Sequence, residues 1–173
     1  MPSPDERYKA SHIERTVQFA LFAVFATGVH ALESLVTLPI PWLRIGFAHI
    51  VTMLMLPYFG AKFILGIFLI RVCVGSALVG KLFSPGFLLA FSGGLGATLV
   101  MLCVYRYFHE FLSFWGISLI GAFTHNLLQV TTASLVIHHS ATFLLLPYFL
   151  ALALATGTIS GLLTNRIHAW QIS

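Results

Sequence analysis

The sequence predicts an all-α polytopic membrane protein in which about six transmembrane helices form one bundle. Composition and length carry this prediction. Of the 173 residues, 58% are hydrophobic and 8% are charged, and the mean hydropathy is +0.95. A soluble domain usually carries about 25% charged residues, so this chain has too few to cover a water-exposed surface. Its length fits six spans with short loops and no separate soluble domain.

Six apolar stretches, separated by polar or proline-containing turns, set the helix boundaries. Pro39 and Pro41 end the first stretch, because proline lacks the amide donor and restricts the residue before it. The predicted helices run over about 16–38, 45–58, 62–81, from the turn at 84–86 to 105, 113–137 and 141–164. We expect residues 1–15 and 167–173 to be cytoplasmic tails and residues 16–166 to form a single transmembrane domain.

The basic residues predict the orientation in the membrane, because cytoplasmic loops carry an excess of Lys and Arg. With six spans, only Arg44 and Lys81 fall on the outer side. The cytoplasmic side then holds Arg7, Lys9, Arg15, Lys62, Arg106 and Arg166. We therefore expect both termini to be cytoplasmic and the protein to lie in the inner membrane of a prokaryote. The basic residues form no cluster, which argues against a nucleic-acid partner.

Arg71 lies in the middle of the third apolar stretch, where a charged side chain is energetically unfavourable in a membrane. A central arginine costs about 2.5–3.5 kcal/mol on insertion scales, so such a residue faces the protein interior and pairs with an anion. Two partners fit. Glu33 of the first helix could form a buried ion pair, or the carboxylate or phosphate of a ligand could accept two parallel hydrogen bonds from the guanidinium.

Further polar residues extend the candidate ligand site. His125, Asn126 and Gln129 lie within the fifth helix, where they either hydrogen-bond neighbouring helices or line a pocket. Arg44 and Lys81 at the outer rim either anchor the helices at the interface or steer an anionic ligand inward. Aromatic residues such as Trp42 and Phe47 would cover the pocket.

Small residues mark two helix-packing surfaces. Ala23, Thr27 and Ala31 recur every fourth residue in the first helix, a spacing that lets another helix approach closely. Their partner is either a helix of this bundle or a separate membrane subunit. The glycine-rich stretch 92–97 has no preceding strand and no P-loop lysine, so it predicts close helix packing instead of phosphate binding.

The residues favour neither catalysis nor metal binding. The only aspartate is Asp5, so the paired aspartates that would hold magnesium against a diphosphate are missing. His138 and His139 are adjacent and point in different directions, and no third ligand accompanies them. Cys73 and Cys103 lie in apolar runs and are predicted to be buried thiols. We expect no enzymatic activity, no metal and no cofactor in this chain.

Two segments resemble a known family. They are ALESLVTLPIPWLRIGFAHIVTMLMLPYFGAKFILGIFLIRVCVGSALVGKLFSPGFLLAFSGGL at 31–95 and ISLIGAFTHNLLQV at 117–130. These segments are similar to the family labelled heptaprenyl diphosphate synthase component I, or Gx transporter, and the similarity spans about 17–165. That family in turn resembles the substrate-binding S components of energy-coupling factor (ECF) vitamin transporters.

The resemblance implies a six-helix S-component fold with a substrate pocket that opens outward. It also implies partners, namely a transmembrane coupling subunit and two cytoplasmic ATPases that use ATP. In such proteins small residues of helix 1 pack against the coupling subunit, and Ala23, Thr27 and Ala31 occupy comparable positions. The synthase label does not fit a chain that lacks the aspartates this chemistry needs.

The resulting functional expectation is an S component that takes up a small, anionic vitamin, cofactor or precursor. Its ligand-binding residues would be Glu33, Arg44, Arg71, Lys81, His125, Asn126 and Gln129. The alternative is a non-catalytic membrane subunit that assists polyprenyl diphosphate or quinone biosynthesis, or a flavin-dependent redox assembly.

Overall fold

The computed structural model describes residues 4–35 and 48–172, with side-chain environments given for 13–35 and 49–169. Within these residues all regular structure is helical. A 3₁₀ turn at Ser140–Leu145 leads into the last helix. The α-helices are α1 (Pro4–Leu35), α2 (Ala48–Met55), α3 (Ala61–Leu78), α4 (Pro85–Phe108), α5 (Phe114–Ile137) and α6 (Leu146–Ile172).

Five of these helices are long and apolar enough to cross a membrane, which confirms a polytopic helical membrane protein. The apolar spans are Ile13–Leu35, Ala61–Leu78, Pro85–Phe108, Phe114–Ile137 and Ser140–Ala169. The helix α2 has eight residues, about 12 Å at 1.5 Å per residue, and is therefore too short to cross by itself.

The short helix α2 lies at the centre of the bundle. Its backbone approaches those of all five other helices, and Val51, Met53 and Met55 are at most 1% exposed. The long helices surround it in the order α1, α3, α4, α5, α6. No Cα atom of α1 lies within 8 Å of one of α6 in the described chain. The ring of helices is therefore open between α1 and α6.

Side-chain contacts distinguish the two ends of the bundle. At one end Lys81 Nζ donates a hydrogen bond to the Ser34 carbonyl. At the other end Tyr58 Oη and His168 Nδ1 are hydrogen-bonded at 3.1 Å. We call these the Lys81 end and the Tyr58 end. They correspond to the predicted outer and cytoplasmic sides.

Local sequence explains where several helices begin and end. Ser84 Oγ accepts a hydrogen bond from the Phe87 amide at 3.2 Å and Pro85 occupies the first turn, a favourable start for α4. Ser113 caps α5 in the same way. Gly80, at φ +67°, ends the α3 segment and turns the chain back. The predicted turns therefore lie within a few residues of the observed ones.

Three sequence-based expectations differ from the structure. The helix α1 begins at Pro4 instead of near Thr16. The last helix reaches Ile172, and its α-helical part begins only at Leu146, with Pro147 in the first turn where its missing amide is tolerated. The prediction that both cysteines are buried is wrong, because Cys103 is exposed and Cys73 half-buried.

Candidate functional site

A band of buried polar side chains crosses the middle of the bundle. These residues come from α2, α3, α4 and α5 and are at most 9% exposed. A polar group at membrane depth needs a partner, because the hydrocarbon offers none. The band consists of His49, Thr52, Arg71, Thr98, Ser118, His125, Asn126 and Gln129.

Arg71 faces the interior of the bundle, as predicted, and is 2% exposed. Its guanidinium carbon lies 5.4 Å from the centre of the Phe68 ring, in the range of a cation–π contact. Glu33, half-buried on α1, acts on Arg71 through a favourable electrostatic interaction. Glu33 thus supplies a compensating negative charge to Arg71. The same guanidinium can also donate hydrogen bonds to a ligand.

Two adjacent glycines of α4 join the α3 and α5 parts of the band. A Cβ atom at Gly93 would lie 2.8 Å from both the His125 carbonyl oxygen and Gln129 Cγ. At Gly94 it would lie 2.7 Å from Phe68 Cε2. Only glycine allows this double approach. The predicted close packing at the glycine-rich stretch is confirmed. Through Gly93 and Gly94, α4 contacts Gln129 on one side and Phe68, the neighbour of Arg71, on the other.

Gln129 and Asn126 hold unused hydrogen-bonding capacity. Gln129 is 1% exposed, and neither its Nε2 nor its Oε1 has a hydrogen-bond partner among the described residues. The Asn126 amide nitrogen donates to the Phe149 carbonyl at 2.8 Å, while Oδ1 has no partner in the described chain. A buried polar group left unsatisfied costs about 1–3 kcal/mol. These two side chains therefore offer donor and acceptor atoms that no described residue uses.

A small cavity lies beside these groups, between α2, α5 and α6. Its volume is about 20 Å³, enough for about one water molecule. The His49 and His125 rings meet edge to face on its wall with centroids 4.7 Å apart. The remaining lining comes from Ser118, Ala122, Asn126, Thr156, Gly157 and Ser160. The enclosed space does not admit a vitamin-sized ligand in this conformation.

The outer-rim residues of the predicted site are partly described. Lys81 is exposed, and its 2.6 Å hydrogen bond to the Ser34 carbonyl places a cation at the C-terminal end of α1, where the helix dipole favours it. Arg44, Trp42 and Phe47 lie outside the described residues. The structure thus brings together Glu33 with Arg71, and His125 with Gln129, and holds Lys81 at the rim.

The small residues of α1 lie against α3. Ala23 and Thr27 are both 7% exposed, and a Cβ atom at Gly75 would lie 3.4 Å from the Thr27 carbonyl oxygen. Ala31 is half-buried. These positions therefore take part in packing within the bundle, and their contact with a separate subunit stays a prediction.

Sequence reasoning missed three groups that the structure places around the centre. His49 was not assigned a role, although it is the one imidazole of α2. Ser118 lies seven residues before His125 and so on the same helical face. Ser160 of α6 reaches the cavity from the opposite side. Spacing alone could have found Ser118, whereas Ser160 needed the packing of α6 on α5.

Metal ligands do not gather in the part of the chain that the structure describes. No group of three His, Cys, Asp or Glu side chains there could hold a metal ion. The band instead offers one guanidinium, two imidazoles and two carboxamides. This donor set suits a ligand with anionic and hydrogen-bonding groups.

Comparison with known proteins gives one match. A family model described as "Heptaprenyl diphosphate synthase component I" matches residues 22–167, most of the chain. No curated protein sequence and no solved structure matches significantly. The matched residues include all five long apolar helices in whole or in part, and the entire buried polar band.

Proposed function

The chain belongs to the heptaprenyl diphosphate synthase component I family, and we propose that it acts as the substrate-binding S component of an ECF transporter. Its substrate would be a small, anionic vitamin, cofactor or precursor taken up from the Lys81 end. The observation that carries this proposal is the fully buried Gln129 amide, which has no hydrogen-bond partner in the described chain. Gln129 packs at Gly93 of α4, and the next residue, Gly94, packs against Phe68, which contacts Arg71.

Arg71 supplies the charge for this ligand. Its guanidinium can donate two parallel hydrogen bonds to a carboxylate or phosphate. Without ligand, Glu33 provides the compensating negative charge. An incoming anion then replaces Glu33 as the main partner of Arg71, so the cation does not stand uncompensated at membrane depth in either state.

The carboxamides and imidazoles supply specificity. Gln129 can donate and accept, and Asn126 Oδ1 can accept, so the ligand needs hydrogen-bond donors and acceptors beside its anionic group. A site built to bond such groups rejects analogues that lack them, because its own buried atoms would stay unsatisfied. Heteroaromatic vitamins and precursors with a carboxylate or phosphate have this chemistry.

Ligand entry requires the centre to open. The existing cavity has room for about one water molecule, and α2 fills the middle of the bundle. Because α2 is short and bounded by Gly60 at the Tyr58 end, displacement of this helix is the simplest way to create volume next to Arg71. Binding energy would then offset the cost of moving α2.

Energy and coupling come from other chains in this proposal. A transmembrane coupling subunit and two ATPases would hydrolyse ATP, while this chain binds substrate and performs no catalysis. Part of the α1 surface that holds Ala23, Thr27 and Ala31 would serve as the coupling contact after α1 moves relative to α3. Co-purification of ATPase subunits with the tagged chain would support this assembly.

The test is mass spectrometry of small molecules released from the protein after purification in mild detergent. We expect wild type to carry a carboxylated or phosphorylated compound and Arg71→Ala to lose it by more than about thirtyfold, since truncating one partner of a buried charge pair costs about 2–5 kcal/mol. The control is Arg106→Ala, which removes an exposed cation at the Tyr58 end. Equal retention by Arg71→Ala would refute the site.

A second function is favoured by the family description. In it the chain is a non-catalytic membrane subunit of polyprenyl diphosphate or quinone biosynthesis, and Arg71 contacts a diphosphate. Release of a polyprenyl diphosphate or quinone, together with co-purification of a soluble synthase instead of ATPases, would establish this alternative.

A further inference from the structure

A groove lies between α1 and α6 at the Tyr58 end, away from the buried polar band. Its volume is about 1000 Å³, at the upper end of the range of about 300–1,000 Å³ for small-molecule sites. The lining comes from three residues of α1, from Ile167 of α6 and from the stretch 54–63: Arg15, Gln18, Phe22, Leu54, Tyr58, Phe59, Gly60, Phe63 and Ile167. Because the backbones of α1 and α6 do not approach each other, the groove opens sideways, toward the lipid.

One wall of the groove is aromatic and preorganised. Phe22 and Phe59 meet edge to face with ring centroids 5.6 Å apart. Phe59 stacks on Phe63 with centroids 5.0 Å apart and planes inclined by 11°. Such a set of packed rings loses little entropy on binding, and it offers a flat apolar surface along which a hydrocarbon chain can lie.

A cation stands at the polar end of this wall. Arg15, Gln18 and Phe22 line the groove from α1, at spacings of three and seven residues that place them on one helical face. Arg15 lies two residues inside the apolar span that begins at Ile13, and its side chain is exposed. Lipid headgroups are met near the ends of apolar spans, and an arginine at such a position can contact their phosphates.

The surroundings reinforce this positive charge. Lys62 and Arg166 are exposed and immediately precede the lining residues Phe63 and Ile167. Glu14 is exposed and precedes Arg15 in the same way, so three basic residues stand against one acidic residue among the lining residues and those immediately before them. The described lining itself contains no carboxylate. The charge pattern therefore complements an anion at the headgroup level.

We propose that this groove binds an anionic phospholipid of the surrounding leaflet. Its phosphate contacts Arg15, and one acyl chain lies along Phe22, Phe59 and Phe63. Cytoplasmic leaflets carry anionic lipids, and basic pockets between transmembrane helices on that side bind their headgroups. A charge at one end of an apolar, laterally open groove fits an amphiphile better than a segment of protein. This inference does not depend on the transport proposal.

The experiment is native mass spectrometry of the intact protein titrated with phosphatidylglycerol or phosphatidylcholine. We expect phosphatidylglycerol to bind selectively to wild type and about fivefold more weakly to Arg15→Gln, from the roughly 1 kcal/mol that one basic residue contributes near an anionic headgroup. Arg15→Lys should retain most of the selectivity. The matched control Arg106→Gln, also an exposed arginine at the Tyr58 end, should behave as wild type.

Two further readings complete the test. Glycerol 3-phosphate, the headgroup without its chains, should not displace the lipid at tenfold excess, because the aromatic wall contributes to binding. Circular dichroism verifies that Arg15→Gln is folded. Equal binding of the two lipids to wild type, or unchanged phosphatidylglycerol binding by Arg15→Gln, would overturn the proposal and leave the groove to a protein partner.

Discussion

Two helix contacts in this molecule are both made close by a glycine, but they differ in the hydrogen bonding of their buried polar side chains. Between α1 and α3, a Cβ atom at Gly75 would lie 2.8 Å from His30 Cδ2. Between α4 and α5, a Cβ atom at Gly93 would lie 2.8 Å from Gln129 Cγ. In both places a glycine lets a polar side chain of the neighbouring helix pack against the backbone.

The two contacts differ in whether the side chain packed against the glycine has a hydrogen-bond partner. In the α1–α3 contact, His30 Nε2 and Ser76 Oγ are hydrogen-bonded at 3.4 Å. Within α1, Ser34 Oγ donates to the His30 carbonyl at 2.8 Å. In the α4–α5 contact, Thr132 Oγ1 donates to Ser92 Oγ at 2.8 Å, but both amide atoms of the buried Gln129 lack a partner among the described residues. Satisfied polar groups fix a contact, whereas unsatisfied ones are available to a ligand. We interpret the α1–α3 contact as structural, and we propose that the Gln129 amide of the α4–α5 contact is available to a ligand.

Among the substitutions at these two contacts, Gly93→Ala should cause the largest loss of stability. The new Cβ would meet the His125 carbonyl oxygen, a backbone atom that cannot rotate away, so we expect a loss of about 1–3 kcal/mol in the free energy of unfolding. Gly28→Ala is the control, because Gly28 has nothing within 4 Å of its Cβ position. Unfolding in mixed micelles should show the control unchanged or up to about 1 kcal/mol more stable. Equal effects of both would refute close packing at Gly93.

A smaller loss is expected from Ser76→Ala. Ser76 is fully buried, and its hydroxyl bonds the His30 ring. Hydrogen bonds between transmembrane helices contribute about 0.6 kcal/mol on average, so the free energy of unfolding should fall by roughly that amount. Retention of the bound small molecule should not change. Loss of the small molecule from this variant would show that the α1–α3 contact also serves binding.

Much of the fold could be predicted because hydropathy and turn chemistry are local. Five spans and the capped starts of α4 and α5 follow from runs of apolar residues and from Ser84 and Ser113. The helix α2 lies within the predicted stretch 45–58, but its central position in the bundle could not be predicted. Hydropathy measures the length of the apolar stretch 45–58 and not its depth, and α2 begins beside His125, the middle of α5.

The inward orientation of single polar residues was predictable, but their arrangement was not. The cost of a charge in lipid requires Arg71 to face inward, and the glycine run requires a close neighbour. Whether an amide finds a partner depends on distant residues. Asn126 bonds a carbonyl 23 positions away on α6, and no spacing rule identifies it. The unsatisfied state of Gln129 therefore appears only in three dimensions.

The variant Gln129→Met tests whether the buried amide serves a ligand, through its free energy of unfolding and its retention of the small molecule. Methionine keeps the length of the side chain and removes the unsatisfied amide, whose burial costs about 1–3 kcal/mol. We expect the variant to be as stable as wild type or more stable, and to lose the bound molecule. A variant destabilised like Ser76→Ala, with the molecule still bound, would show that the Gln129 amide stabilises the fold and does not bind the ligand.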